Sequence, residues 1–176
     1  MKLDWETGNF IGKGETATIE IVKQIYGLKE LNKVQDWHKG TAGIFTQVPL
    51  IWLLKPDFLQ NLAGWHQKGS IDVLMRSDKF KKIDVYWTHP RTGKKELQGK
   101  CINGIVCLRV QGWSHFSSGP KPLRDLKQLE MLQKSGNLVV DLPVTDCKVL
   151  FDDLVNEKSI SEVKFYLRKE RILGAF

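Results

Sequence analysis

Cysteine is scarce in this chain, and the three present, Cys101, Cys107 and Cys147, show no CxxC spacing. An odd number without that spacing argues against a disulfide framework and against a zinc knuckle, and the plain inference is a reducing compartment. Cys107 lies in an apolar run and reads as a core residue rather than a thiol nucleophile. Long hydrophobic runs are also missing. No stretch approaches the roughly 18 apolar residues of a membrane-spanning helix, so no membrane partner is expected. The opening "MKLDWETGNF" reads as neither a signal peptide nor an Arg-rich transit peptide. There is no GxGxxG and no P-loop, and "GKGET" is a weak candidate for a phosphate cradle. Internal repeats and low-complexity tracts are absent too.

What is abundant is positive charge. The 176 residues carry a formal net charge of +7, with 27 Lys and Arg against 20 Asp and Glu. The sequence pI is about 9.3. A surface of that sign favours polyanions, above all nucleic acid. The length suits one domain spanning residues 1–176 with a single core.

Periodicity organises the chain. "ETATIEIVKQIYGL" spaces Ala17, Ile21, Ile25 and Leu28 by three and four, which predicts a helix ending near Gly27. Its β-branched residues pull the other way, toward strand. "GIFTQVPLIWLL" predicts a strand whose Pro49 demands a sheet edge or a bulge. "GSIDVLMRS" and "KKIDVYWTH" predict two more, and Pro90 and Gly93 punctuate the turn after them. "GIVCLRVQ" is the most apolar strand and the expected centre of the sheet. "PLRDLKQLEMLQKSG" predicts a helix with Pro122 near its start, Leu126, Leu129 and Leu132 on one face, and Gly136 closing it. "NLVVDLP" is a further strand. "VTDCKVLFDDLVN" and "ISEVKFYLRKERIL" predict two final helices. The sum is an α/β or α+β layer sandwich with strands at its centre.

Several residues stand out against this frame. Asp72 lies inside an apolar strand, where a carboxylate must be paired, solvated at the strand end or bound to a cation. Gln111, Ser114 and His115 leave the end of the central strand, where ligands of open α/β sheets gather. His115 can serve as metal ligand, general acid or base, phosphate contact, or plain turn residue. Glu15 gains interest only if it converges with Asp72 and His115. Lys121, Arg124 and Lys127 near the second long helix, with Lys164, Arg168, Lys169 and Arg171 near the C-terminus, can neutralise phosphates. Trp113, Phe116, Phe165 and Tyr166 can stack on unpaired bases or simply fill a core.

"RVQGWSHF" resembles the start of the RAP domain, a module at the C-terminus of many organellar RNA-binding proteins. Val110, Gly112, Ser114, His115 and Phe116 match its first motif. Gly136, "LVVDLP" and "YLRKERIL" match later elements in order, so the likeness covers residues 102–173. The layout is also similar to the very-short-patch mismatch-repair endonucleases of the PD-(D/E)XK class. The resemblance implies a nuclease-like central mixed sheet flanked by helices. It implies RNA, favoured over DNA, as partner, with ribosomal proteins as further candidates. It implies a mitochondrial setting, with the cytoplasm as the alternative, and a role in RNA metabolism or as an RNA-bound ribosome component. In the nucleases a helix glutamate, a strand aspartate and histidines surround a divalent cation, and Glu15, Asp72 and His115 take comparable places. Arg109 and Gln111 depart from the family, which carries carboxylates there. A guanidinium repels Mg²⁺ and attracts phosphate.

Two readings therefore lead. The first is an RNA-binding protein without a cofactor, contacting its target through Arg109, Gln111, Ser114, His115, Lys121, Arg124 and Lys127. The second is a Mg²⁺-dependent endonuclease, with Asp72 as metal ligand and Glu15 and His115 as catalytic partners. A protein-interaction subunit with an incidental basic face is a third.

Overall fold

A computed structural model describes residues 13–59, 69–89, 91–111 and 120–143. Helix α1 (Lys13–Tyr26) precedes a short helix α2 (Val34–His38) and strand β1 (Gly43–Pro49). A 3₁₀ turn and the one-turn helix α3 (Pro56–Leu59) follow, then β2 (Ser70–Arg76). Strands β3 (Asp84–Thr88) and β4 (Lys95–Lys100) come next, then β5 (Ile105–Gln111), helix α4 (Pro120–Lys134) and β6 (Leu138–Pro143). The two C-terminal helices expected from the sequence, with their basic and aromatic residues, lie outside the described residues.

The main sheet has the order β1-β2-β5-β6. β1 and β5 run antiparallel to β2, and β6 runs parallel to β5. Parallel neighbours need a crossover, and α4 supplies it. "GIVCLRVQ" is an inner strand, as its composition predicted. Pro49 ends β1 at the sheet edge, where its missing N–H costs no ladder bond.

Both faces of the sheet are covered. Ile19, Ile21 and Val22 of α1 pack on one face against Ile44, Val73, Met75, Val106 and Leu108. Met131 and Leu132 of α4 pack on the other against Phe45, Leu74, Ile105 and Cys107. The helix of α1 forms despite its β-branched residues because burial of that apolar stripe outweighs propensity differences of a few tenths of a kcal/mol each. Gly136 closes α4 at φ +86°. The buried Asn137 behind it donates from Nδ2 to the carbonyls of Leu53 and Leu132, at 2.9 and 3.1 Å, tying the helix end to the segment after β1.

One strand expectation is corrected in its placement. "KKIDVYWTH" does form a strand, but β3 pairs only with β4, in a separate two-stranded sheet. β4 went unforeseen because "KELQGK" has a single apolar residue and no alternation to read. Helices α2 and α3 are too short for periodicity to reveal. The hairpin leaves and rejoins the main sheet through a tight turn at Gly104, φ +66°, where a Cβ would stand 2.3 Å from the Ser77 carbonyl oxygen.

Arg76, the last residue of β2, holds the α2 region to the sheet. Its Nη2 donates to the carbonyls of Asp36 and Trp37 at 3.0 and 2.8 Å, and its Nε to that of Thr41 at 3.2 Å. The guanidinium lies 4.3 Å from the centre of the Trp37 ring and 4.8 Å from that of Phe45. Lysine cannot reproduce this fork. Arg76→Ala is expected to lower the unfolding free energy by about 2–3 kcal/mol, read from urea denaturation, with Arg76→Lys recovering little of it.

Candidate nucleic-acid-facing site at the end of the sheet

Glu15 and Asp72 converge. Glu15 stands in the first turn of α1, where the exposed N–H groups favour a carboxylate. Asp72 lies near the start of β2. The two side chains share a hydrogen bond, and the Val110 backbone N–H and the Gln47 side chain also bind the Asp72 carboxylate. Asp72 is thus half-buried and paired rather than directed freely into solvent.

Local backbone irregularity makes this possible. Thr46 pairs with Val73 and Val48 with Ile71 in one unbroken register, but the Gln47–Asp72 pair between them is missing from the ladder. Gln47 adopts φ +53°, the left-handed region that a non-glycine residue seldom occupies. Alternation should put Ile71 and Val73 on one face. Instead Val73 packs in the α1 cluster and Ile71 in the α4 cluster. The sheet shifts its facing by one residue at Asp72. The Ser70 hydroxyl donates to Gln47 Oε1 at 3.0 Å, which leaves the Gln47 amide nitrogen for Asp72.

Electrostatics at this point are strained. Burial pushes Asp72 up to about 7, the neighbouring Glu15 charge adds to the rise, and the bonds from Val110 and Gln47 pull against it. Two carboxylates in hydrogen-bond contact cannot both stay anionic without compensation. They must share a proton or a cation. A cavity of about 160 Å³ opens beside Asp72, lined by Ser70, Asp72 and Val110 together with Arg109, Asp125 and Gln128. Among the described residues no third His, Cys, Asp or Glu joins the pair as a metal cluster. Ser114 and His115 lie outside the described residues, so their distance from the pair is not part of this geometry.

Arg109 is placed differently from the phosphate contact expected of it. It is 5 % exposed, on the α4 side. Its Nε and Nη2 grip Asp141 at 2.6 and 2.8 Å, and Nη1 donates to the Asp125 carbonyl at 2.8 Å and to Gln128 Oε1 at 3.0 Å. Its carboxylate partner is Asp141, its register neighbour on β6, and not Asp72. These bonds turn the guanidinium inward, because a buried arginine must satisfy its donors within the protein. Sequence reading quoted Asp141 only as part of "LVVDLP". An acid in an apolar strand beside a strand with an arginine was the available signal. Gln47 and Ser70 carried none.

Gln111 ends β5, level with Pro143 of β6. Lys121 and Arg124 fall in the N-terminal part of α4, and Lys127 is exposed farther along that helix. Cys107 is fully buried, and burial pushes its thiol far above the usual range, which bars a thiolate role. No described helix is long and apolar enough to cross a membrane. In comparisons with protein-family models, with curated proteins and with solved structures, nothing matches this chain.

Two outcomes follow from this geometry. Because the folded-state pKa of Asp72 lies above its unfolded value, the native state holds the extra proton. Stability tied to Asp72 is present at acid pH and lost as pH rises toward 7 and beyond. In EDTA, Asp72→Asn should therefore raise Tm by roughly 3 °C at pH 8.5 and change it little near pH 4.5. An equal shift at both pH values would remove the pair as a titrating unit. Arg109→Met should cost about 2–3 kcal/mol in urea unfolding, since it strands Asp141 and the Asp125 carbonyl. A variant as stable as the parent would contradict a structural role for the guanidinium.

Proposed function

We propose that this chain is a nucleic-acid-binding protein, directed to RNA, on a nuclease-like fold of the PD-(D/E)XK kind. The excess of positive charge carries the reading, and the convergence of Glu15 and Asp72 near the end of β5 supports its nuclease-like part. The order α1-β1-β2-β5-α4-β6, with β3 and β4 as an insertion, supports the nuclease-like architecture. The net charge of +7 supports a polyanionic partner. The likeness of residues 102–173 to the RAP domain favours RNA over DNA and an organellar setting, the mitochondrion first, in RNA metabolism or on the ribosome.

Mg²⁺ fits the donors present. Glu15 and Asp72 offer the hard carboxylate oxygens it prefers, and a cation between them would replace the shared proton. Bound there, Mg²⁺ would supply a Lewis acid for a phosphate oxygen. Asp72 would hold it, kept in place by Val110 and Gln47, and Glu15 would close the other side. These facts favour a second reading, a Mg²⁺-dependent endonuclease. Strained backbone and a perturbed carboxylate at one point cost stability, and a plain binding surface has no use for either. Against hydrolysis stands β5, which offers Arg109 and Gln111 where the resembled family has carboxylates, and Arg109 is committed to Asp141. Binding therefore ranks first.

The test uses labelled single-stranded RNA and duplex DNA, each with Mg²⁺ and with EDTA, on native and denaturing gels. The expected result is an RNA shift that weakens steeply with salt and leaves the RNA whole. Mg²⁺-dependent cutting that vanishes in Asp72→Asn would make the chain an enzyme. No shift with either nucleic acid would end both readings.

A further inference from the structure

The segment between β2 and β5 holds most of the excess charge. Residues 79–100 contain seven Lys and Arg against two acids, Asp84 and Glu96. Four of them, Arg91, Lys94, Lys95 and Lys100, lie on the β3–β4 hairpin, which is hydrogen-bonded to no strand of the main sheet. The hairpin lies at the far end of β2 and β5 from the acidic pair, since β2 runs from Asp72 toward Arg76 before the insertion begins. Four residues of strand, about 13 Å, separate those two positions.

The hairpin packs against α4 and places Val85 in the core, while its other face is exposed. Val85 is the buried residue of β3, and most of β4 faces solvent. Tyr86 and Leu97, 41 % and 58 % exposed, are register partners and so stand side by side on one face. Lys95 Nζ lies 6.0 Å from the centre of the Tyr86 ring. The tip is closed by bonds between His89 and both Gly93 and Lys94. His89 Nδ1 also accepts from the backbone N–H of Arg91 and Thr92, at 3.2 and 3.3 Å. Lys100 is neutralised by Asp84 and Lys81 by Asp78. Arg91, Lys94 and Lys95, clustered around the tip, are exposed and make no ion pair among the described residues.

We propose that this hairpin is a docking arm for a single-stranded polynucleotide. Unpaired bases pack against Tyr86 and Leu97, and Arg91, Lys94 and Lys95 neutralise the phosphates alongside. The inference rests on the nucleic-acid reading above and assigns it a second contact, remote from Glu15 and Asp72. The hairpin joins exposed cations to an aromatic face. Cations alone would fit any polyanion, whereas an exposed aromatic ring beside them matches the stacking platforms that hold unpaired bases. An acidic protein segment would use the cations and leave the Tyr86 face idle.

The test compares the full chain with two variants, Arg91→Gln/Lys94→Gln/Lys95→Gln and Tyr86→Ala. All sites are exposed, so unchanged Tm is the check on folding. Fluorescein-labelled 20-nucleotide RNA, DNA of the same sequence and its duplex are titrated by anisotropy across a range of KCl. The triple variant should flatten the log affinity against log salt slope by about 2, the loss of three phosphate contacts on a single strand. Tyr86→Ala should weaken binding by roughly tenfold with the slope unchanged, because stacking releases no counterions. Single-stranded RNA and DNA should both respond, with RNA bound more tightly if the arm serves the proposed target. Three results would overturn the arm while sparing nucleic-acid binding elsewhere: parental affinity and slope in both variants, preference for the duplex, or competition by poly-glutamate as effective as by RNA of equal charge. The last would point to an acidic protein instead. Failure of the parent chain to bind any of the three nucleic acids would sink the arm together with the broader reading.

Discussion

Strand β5 is bonded to a neighbour on each side and covered by a helix layer on each face. From Ile105 to Arg109 the strand is buried, and a polar group there has to find its partners within the protein. That constraint explains much of the rest. Arg109, in the middle of this strand, has to spend its donors on Asp141, Asp125 and Gln128. The Val110 N–H binds the Asp72 carboxylate rather than solvent. The turn into β5 must be tight enough to bring Gly104 against Ser77, which places the hairpin at one end of the sheet and frees the other end for the acidic pair.

The resulting molecule separates its charges. The paired carboxylates sit half-buried where α1 meets the start of β2. A cluster of exposed cations, Arg91, Lys94 and Lys95, stands at the opposite end, on a hairpin outside the main sheet. Burial sharpens the first feature, since desolvation is what lifts Asp72 toward neutrality. Exposure suits the second, since solvated cations remain available to a polyanion at little cost to stability. The positive φ of Gln47 belongs to the same design. Val73 and Ile71 turn to different clusters on either side of this step, and there Asp72 meets Glu15 of α1 while lining a cavity with Gln128 of α4.

Much of the fold was legible in the chain. The α1 stripe, the apolar run of β5, the leucines of α4 with Gly136 behind them, and Pro49 at an edge are local signals, and each maps to the element it predicted. β4, α2 and α3 were not legible, because a solvent-facing hairpin strand and single helical turns bury too little to need a pattern. Asp72 was recognisable as an anomaly, a charge in an apolar strand. Glu15 was one acid among many on helices, and only its partner distinguishes it. The cations gathered around the turn "HPRTGKKE" were legible as a turn and not as a cluster, since charge counts do not say which residues a fold will hold together.

What the sequence determined by itself, then, was the set of elements with a buried face, the sign of the surface charge and the strand that would lie inside the sheet. Those follow from periodicity, composition and the cost of exposing apolar area, all of them properties of short stretches. Tertiary structure alone decided which charges meet. Glu15 and Asp72 are 57 positions apart and Arg109 and Asp141 are 32 apart. Their pairing depends on strand order, register and one irregular step at Gln47. Such contacts are set by how the layers close on one another, and no local pattern in the chain encodes them.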